Sequence, residues 1–445
     1  MENAKLAVEN YDVLVIGGGP AGSTAATLLA RRGYRVMQLE KDRHPRFHIG
    51  ESLLPMNLPV FERLGVLEKI RTMGVHKPGA DFEADNARGY RTYDFQRALG
   101  KSPPHAYQVW RQDFDQMLFE HAREQGVDGR EGAEVVALEQ RGPRDSLAEV
   151  RSADGWRYQV QVRYVLDASG RDAFLASKKK IRRKNPLHQS AAIFGHFRQV
   201  ERRPGADAGN ISIYNFAHGW MWMIPLPNGV MSVGAVCRPD YLKQRRGRTH
   251  EFLYDTLKLN TGLWQRMQNA ELIGNEVRVT GNYSYAADCI GGPGWMLVGD
   301  AFAFLDPVFS SGVYLATSGA EQTAAVVDAA LREPISETRL QRRLEKRLRA
   351  GMRRFAFFIY RFNSPIMQHM FQHPHNFLRV EQGVISMLAG DLFDSRRVLW
   401  RLHVFRVLYA SFALLHWRRW YAEHRYRLAQ AKAEFSGGNT PVDPA

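Results

Sequence analysis

Residues 11–40 read YDVLVIGGGPAGSTAATLLARRGYRVMQLE. Tyr11–Gly17 is a short run of apolar and β-branched residues, the profile of a strand buried on both faces of a parallel sheet. Ser23–Arg32 (STAATLLARR) is rich in alanine and leucine and predicts a helix. Gly33 closes that helix, and Tyr34–Glu40 (YRVMQLE) predicts a second strand. Between them Gly17–Gly22 fits G-x-G-x-x-G. In that pattern Gly17 permits the tight turn, Gly19 lets backbone approach a pyrophosphate, and Gly22 lets helix and strand pack closely. Pro20 and Ala21 lie in this loop, and the N–H groups at the N-terminus of the helix beneath suit a phosphate. Glu40 stands 23 residues after Gly17, at the end of the second strand, where a carboxylate can accept from a ribose hydroxyl. Strand, loop, helix, strand and acid together predict a dinucleotide site.

Outward from this unit, residues 41–59 are punctuated by Pro45, Pro55 and Pro59. Alternating patterns predict strands at Ala133–Leu138, Leu147–Arg151, Tyr158–Val162 and Tyr164–Asp167. Further alternations from Ala191 to Val236, split by Gly and Pro, predict an antiparallel sheet. Trp295–Val298 reads as another buried strand leading into Gly299 and Asp300. Helical patterns follow at roughly 313–331 and 337–361, and 395–433 is helical by composition. Residues 435–445 carry Gly and Pro without periodicity and are expected to be disordered. The expected division is a module over 1–330, with a sheet drawn from about 80–110 and 190–285, a helical basic region over 331–434, and the tail.

Composition narrows the class. Of 445 residues, 44% are hydrophobic and 24% charged, which excludes global disorder. Cys237 and Cys289 are the only cysteines, so a disulfide scaffold or a cysteine-rich metal centre is not expected. His369, His373 and His375 cluster in sequence, but Pro374 interrupts their helix and no Cys, Asp or Glu lies nearby to complete a shell, so no metal is expected. The net charge is +15, and residues 331–445 hold 20 Lys and Arg against 9 Asp and Glu. No targeting segment is visible, and the longest uncharged apolar run near the C-terminus, Val407–Trp417, is too short to span a bilayer. A cytoplasmic location is expected.

Six further stretches carry a family resemblance. Val165–Gly170 (VLDASG) and Leu297–Ala301 (LVGDA) resemble the second and third motifs of glutathione-reductase-like FAD monooxygenases. Gly219–Pro225 (GWMWMIP) reads W-x-W-x-I-P, and Lys77 stands in Lys77–Ala80 (KPGA). His48–Pro55 (HIGESLLP) and Asp306–Val313 (DPVFSSGV) complete the set. Over about residues 10–330 the chain resembles the flavin-dependent halogenases, in the branch acting on phenolic and pyrrolic rings that are often held on acyl or peptidyl carrier proteins. The resemblance implies an α/β, glutathione-reductase-like FAD-binding fold with an antiparallel substrate sheet and a helical C-terminal region. It implies FAD, used as FADH2, with O2 and a halide ion, chloride or bromide. A flavin hydroperoxide would yield hypohalous acid, guided to the ring by Lys77 as the catalytic residue. Glu51, Ser52, Arg111, Asp300, Gly312 and Val313 would join the glycine loop and Glu40 in holding the flavin. Ser311 and Gly312 would bind halide, with Ser310 nearby. Trp220, Trp222 and Pro225 would partition flavin from substrate.

One departure is informative. Tryptophan-type relatives carry a glutamate where this chain has Phe309, which favours an activated phenol or pyrrole over free tryptophan. No second glycine fingerprint is present for NAD(P)H, so a separate flavin reductase is the expected source of FADH2. An aromatic hydroxylase or other flavin oxidoreductase that never uses halide is the alternative, and a flavin-bearing docking protein is a further one. The basic tail, Arg396–Arg427, has three open readings: a helix packed on the flavin domain, a dock for an acidic carrier protein, or a membrane-surface contact. The first is favoured, and nucleic acid is not expected because no binding motif accompanies the charge.

Overall fold

The computed structural model describes residues 8–84, 89–185, 190–281, 284–374, 376–415 and 425. The leading strand, Val8–Ile16, sits inside an eight-stranded sheet. It pairs in parallel with Val36–Glu40 on one side and Arg157–Asp167 on the other. Asp128–Glu131 and Trp295–Leu297 extend the parallel set. The helix Pro20–Ala30 buries Ala25, Ala26 and Leu29 against Val13, Leu14 and Val15, beside the long helix Gly312–Arg332. Small residues let both helices lie close to a sheet that is apolar on both faces.

The two strands expected at Tyr158–Val162 and Tyr164–Asp167 are one, Arg157–Asp167. Its first half pairs antiparallel with Asp145–Ser152 while its whole length runs parallel to Val8–Ile16. The exposed Arg163 that broke the apolar pattern reaches Asp12 at 2.9 Å without interrupting the ladder.

A second, seven-stranded sheet forms the substrate side. Its order is Glu271–Thr280, Ala191–Arg198, Met231–Cys237, Gly219–Pro225, Ile211–Phe216, Gly79–Glu83 and Tyr90–Asp94. It is mixed rather than purely antiparallel, because Gly79–Glu83 runs parallel to Ile211–Phe216. The long connection between those strands permits a parallel pairing, which a tight hairpin could not. Ala106–Gln108, expected in this sheet, instead forms a two-stranded ribbon with Val75–Lys77.

Helices Glu337–Ile359, Pro365–Gln372, Val380–Leu388 and Arg396–Leu415 follow. Val398, Leu402, Phe405 and Tyr409 of the last helix, spaced by three or four, face an apolar cluster that also contains Trp220 and Trp222. By length and composition this helix is the one, among the described residues, that could cross a bilayer. In the sequence, Arg401 and Arg406 interrupt any apolar run longer than Val407–Trp417. Both are accommodated: Arg401 donates to Leu378 O and Arg397 O, and Arg406 lies over the Phe357 ring. The helical expectation for 416–433 (apart from residue 425), the disorder expectation for 435–445, and His375 lie outside the described residues.

A Cβ at Gly22 would stand 2.1 Å from Gly17 O, whereas one at Gly319, inside the helix Gly312–Arg332, meets nothing within 4 Å. Gly22→Ala is therefore expected to destabilise by about 2 kcal/mol or more. Gly319→Ala is expected to stabilise by up to about 1 kcal/mol. Denaturant unfolding of both variants checks the pair.

Candidate active site

A cavity of about 600 Å³ runs between the two sheets. Gly17, Gly19, Pro20, Ala21 and Glu40 line one end, and Trp220 and Trp222 the other. Gly17 has φ +111°, and no side chain caps the helix that begins at Pro20. Beside Gly19 a Cβ would meet only the Arg46 guanidinium, at 3.6 Å, so backbone lies open to the cavity there. This is the cradle a pyrophosphate needs. Gly22 does not reach the wall; it serves the helix–strand approach. Glu40 is already engaged, accepting from the Gly18 N–H at 2.7 Å and from Arg46 at 3.1 Å. It therefore ties the glycine loop to Arg46 as well as facing the cavity.

Arg111 begins the helix Arg111–Glu124 and is buried. Its guanidinium grips Asp115 through two bonds, at 2.9 and 3.0 Å, and donates to Ile49 O at 2.6 Å. Arg46 also reaches Asp115, at 3.2 Å. These bonds fix the turn that carries Gly50 and Glu51 to the cavity wall. Glu51 is buried and lies 2.5 Å from His196 Nε2. The His196 ring in turn lies 4.6 Å from Trp110, centroid to centroid. Neither His196 nor Arg46 belongs to a recognisable motif; position on a strand or loop was the only sequence signal.

Lys77 ends the strand Val75–Lys77, opposite Ala106. Ser52 bridges to Gln108, the Leu53 N–H donates to Tyr107 O, and the Val109 N–H donates to Glu51 O. Residues 51–53 are thus laid along the ribbon, and Lys77 Nζ donates to Ser52 Oγ at 2.8 Å and to Leu53 O at 2.9 Å. The Phe95 ring lies 5.5 Å from the amine. Burial without a charged partner pushes Lys77 down to about 7. Lys77 is not itself on the cavity wall, whereas Ser52 and Glu51 are, so the amine meets the cavity through Ser52.

Trp220, Trp222 and Ile224 alternate on the strand Gly219–Pro225 and face the cavity together. The two indole rings stand 5.7 Å apart, and Trp222 Nε1 donates to Ser232 Oγ. Pro225, expected at this partition, points to the other face by the same alternation, and Ile224 takes its place. In the loop before the helix Gly312–Arg332, Ser310 has φ +55°, a left-handed value uncommon outside glycine. That twist brings Ser310, Gly312 and Val313 to the wall, with the Ser311 side chain buried beside them. Asp306 braces the loop, accepting from the Val308 N–H and from Ser190 Oγ, and burial pushes it up to about 6. Phe309 is buried between Phe362 and Phe371, 5.6 and 6.1 Å away by ring centroids.

Asp300 lies deep in the fold and opens only onto the cavity. Among the described residues no side chain hydrogen-bonds its carboxylate, and burial outweighs the nearby Arg111 and Arg171 charges to push it up to about 6. A polyhydroxyl ligand such as the ribityl chain of FAD would supply the missing donors, so the site fits that cofactor. The raised value also sets a sign. Below the unfolded value, 3.8, Asp300 is protonated in both states and costs nothing; as pH rises through about 6 the flavin-free fold must bury a charge. Asp300→Asn is therefore expected to stabilise the flavin-free protein above pH about 6 and to leave it unchanged below about pH 4. Thermal unfolding against pH checks this.

The family profile described as "FAD binding domain" matches residues 10–357. A "Tryptophan 2-halogenase" of Chondromyces crocatus is 32% identical over 390 residues, 86% of this chain and 74% of the relative. A chlorinase of a pyrrole-2-carbonyl group on a peptidyl carrier protein, from Pseudomonas fluorescens, is 28% identical over 87% of this chain and 91% of its own. Among solved structures, a flavoprotein/dehydrogenase of Cytophaga hutchinsonii superposes with a TM-score of 0.84 at 26% identity, over 91% of this chain and 100% of that one. The myxobacterial chondrochloren halogenase, an FAD-dependent halogenase, superposes with a TM-score of 0.75 at 30% identity, over 89% and 96%. With the glycine cradle, the tryptophan pair and the buried lysine in one fold, the chain belongs to the FAD-binding flavin-dependent halogenases.

Proposed function

We propose that this enzyme chlorinates or brominates an electron-rich aromatic ring, phenolic or pyrrolic, with FADH2 delivered by a separate flavin reductase. The observation that carries the reading is Lys77, an amine buried without a counter-charge and brought near neutrality by that burial. FADH2 with O2 supplies, when bound, the oxidising equivalent that converts halide to hypohalous acid. The glycine cradle and Asp300 hold the cofactor, while Arg111 fixes the turn presenting Glu51. Backbone N–H groups at Gly312 and Val313, with Ser310 beside them, form the anion pocket. Trp220, Trp222 and Ile224 keep the organic ring from the cofactor, which suppresses direct hydroxylation. A neutral Lys77 amine, meeting the cavity beside Ser52, accepts a hydrogen bond from hypohalous acid and aims it at a ring carbon; C–X replaces C–H, and the hypohalous hydroxyl takes up the ring proton and leaves as water.

Phe309 supports the activated-ring reading, because an aromatic cluster occupies the place where a carboxylate would otherwise assist a poorer ring. The relatives named for tryptophan and for a carrier-bound pyrrole span both delivery modes. A carrier-tethered pyrrole or phenol is the delivery we favour. One observation favours a second reading, a halide-independent flavin hydroxylase or dehydrogenase: the structural likeness to the Cytophaga flavoprotein/dehydrogenase.

The test mixes enzyme, pre-reduced FAD and O2 with chloride, bromide or neither, and a simple phenol as trap. Halide- and enzyme-dependent halophenol is expected by mass spectrometry; hydroxylated phenol regardless of halide would establish the second reading. Lys77→Met is expected to keep FAD binding and flavin oxidation yet lose halogenation by about 10²-fold or more. Because the neutral amine predominates above its value of about 7, the wild-type halogenation rate should rise as pH crosses that point, and the rise should vanish in Lys77→Met.

A further inference from the structure

The helix Arg396–Leu415 is apolar on both of its long faces. Its inner face, Val398, Leu402, Phe405 and Tyr409, is buried in the protein. A helix half-packed on a soluble core is ordinarily polar on its free face. Here the outer face presents Trp400, Val407 and Leu414, with solvent exposures of 49%, 53% and 76%, and Leu415 beside them at 76%. Trp400, Val407 and Leu414 recur every seven residues, so they form one stripe, with His403 and Ala410 filling its gaps. Across the whole helix there is no Asp, Glu or Lys, and every full charge is an arginine: Arg396, Arg397, Arg401 and Arg406. Arg353 and Arg354 of the preceding long helix add to the same field. Arg354 is held below the usual guanidinium range by its burial and then by Arg353 and Arg406 nearby. The one acid at the start of the helix, Asp394, is paired with Arg347 at 2.6 Å.

We infer that this outer face docks on an anionic lipid surface, with Trp400, Val407 and Leu414 entering the interface and the flanking arginines meeting the headgroups. An aliphatic and aromatic stripe edged by arginine is the composition of an interfacial helix. The charge is of the sign that anionic lipid attracts, and residues 331–445 as a whole carry 20 Lys and Arg against 9 Asp and Glu. The helix lies in the surface plane rather than crossing it. Its inner face is locked to the protein by Phe405 against Phe358, by Arg406 over Phe357, and by Arg401 on the carbonyl of Leu378. Insertion as a span would strip those contacts and draw two arginines into hydrocarbon. The docking does not depend on the reaction proposed above.

The experiment is co-sedimentation of the full chain with phosphatidylcholine vesicles, with and without phosphatidylglycerol. The expected result is binding to the phosphatidylglycerol vesicles, weaker by about 10-fold on phosphatidylcholine alone and reduced by added salt. Trp400→Glu with Leu414→Glu should lower that binding by about 10-fold, while FAD retention and thermal unfolding stay at wild-type levels because both side chains point outward. Arg396→Glu with Arg397→Glu should lower it without touching the apolar stripe. Absence of binding to anionic vesicles overturns the inference, as does binding that the Trp400 and Leu414 changes leave intact. A salt-sensitive complex with an acidic carrier protein, or a dimer in solution, either one lost in the same variants while vesicles stay unbound, assigns the face to a protein and equally overturns it.

Discussion

The amine of Lys77 sets the terms for its surroundings. An ammonium with no counter-ion is too costly to bury, so the site holds it only by satisfying its donors with neutral oxygens and letting the proton leave readily. Ser52 Oγ and Leu53 O do this, and they can because residues 51–53 are pinned to the ribbon on which Lys77 sits. The pinning in turn needs the preceding turn held still, which Arg111 achieves from a helix far along the chain. A carboxylate near the amine would restore its charge and undo the arrangement. The nearest acid on that segment, Glu51, is turned the other way and engaged by His196. Two neighbouring residues thus divide between them, Glu51 toward histidine and Ser52 toward lysine.

Much of this was legible in the sequence, and the reasons differ by residue. The glycine loop could be read because each glycine answers a steric demand that no other residue meets; a Cβ at Gly17 or Gly22 would lie within 2.3 Å of a carbonyl oxygen. The tryptophan pair could be read because strand alternation puts i and i+2 on one face. The same rule, applied one residue further, moves Pro225 off that face and puts Ile224 on it. The turn before the helix Gly312–Arg332 was not legible, because Ser310 takes a left-handed conformation and backbone torsion of a non-glycine leaves no trace in composition. His196, Arg46 and Asp115 were not legible at all, since their importance lies in partners distant in the chain. Glu40 lines the cavity, and its bonds to Gly18 and Arg46 are ones that spacing could not reveal.

The aromatic cluster explains how one apolar body can serve two ends of the molecule. Phe309, Phe362 and Phe371 pack beside Phe82 and Tyr93 of the substrate sheet. The same buried cluster includes Trp220 and Trp222 at the cavity and Phe405 and Tyr409 of the last helix. The C-terminal helices are therefore structural neighbours of the partition rather than an appendage, and a change in their packing reaches the tryptophan pair through apolar contacts alone.

The parallel pairing of Gly79–Glu83 with Ile211–Phe216 has a consequence for how the protein comes to be active. Ala80 lies opposite Ile211, so this ladder closes between residues 131 apart in sequence. Lys77 stands just before the first of those strands. Contacts of such separation form late, because chain entropy must be given up before they return any stabilisation. The ribbon and the residues that hold the Lys77 amine, Ser52 and Leu53, are near neighbours in the chain, whereas the sheet that follows Lys77 waits for a strand far along it. On a ribosome, Ile211–Phe216 must emerge before the strand that follows Lys77 finds its parallel partner. The amine's own hydrogen bonds can thus be in place before the tryptophan strand, built on Ile211–Phe216, closes against the sheet that Lys77 leads into.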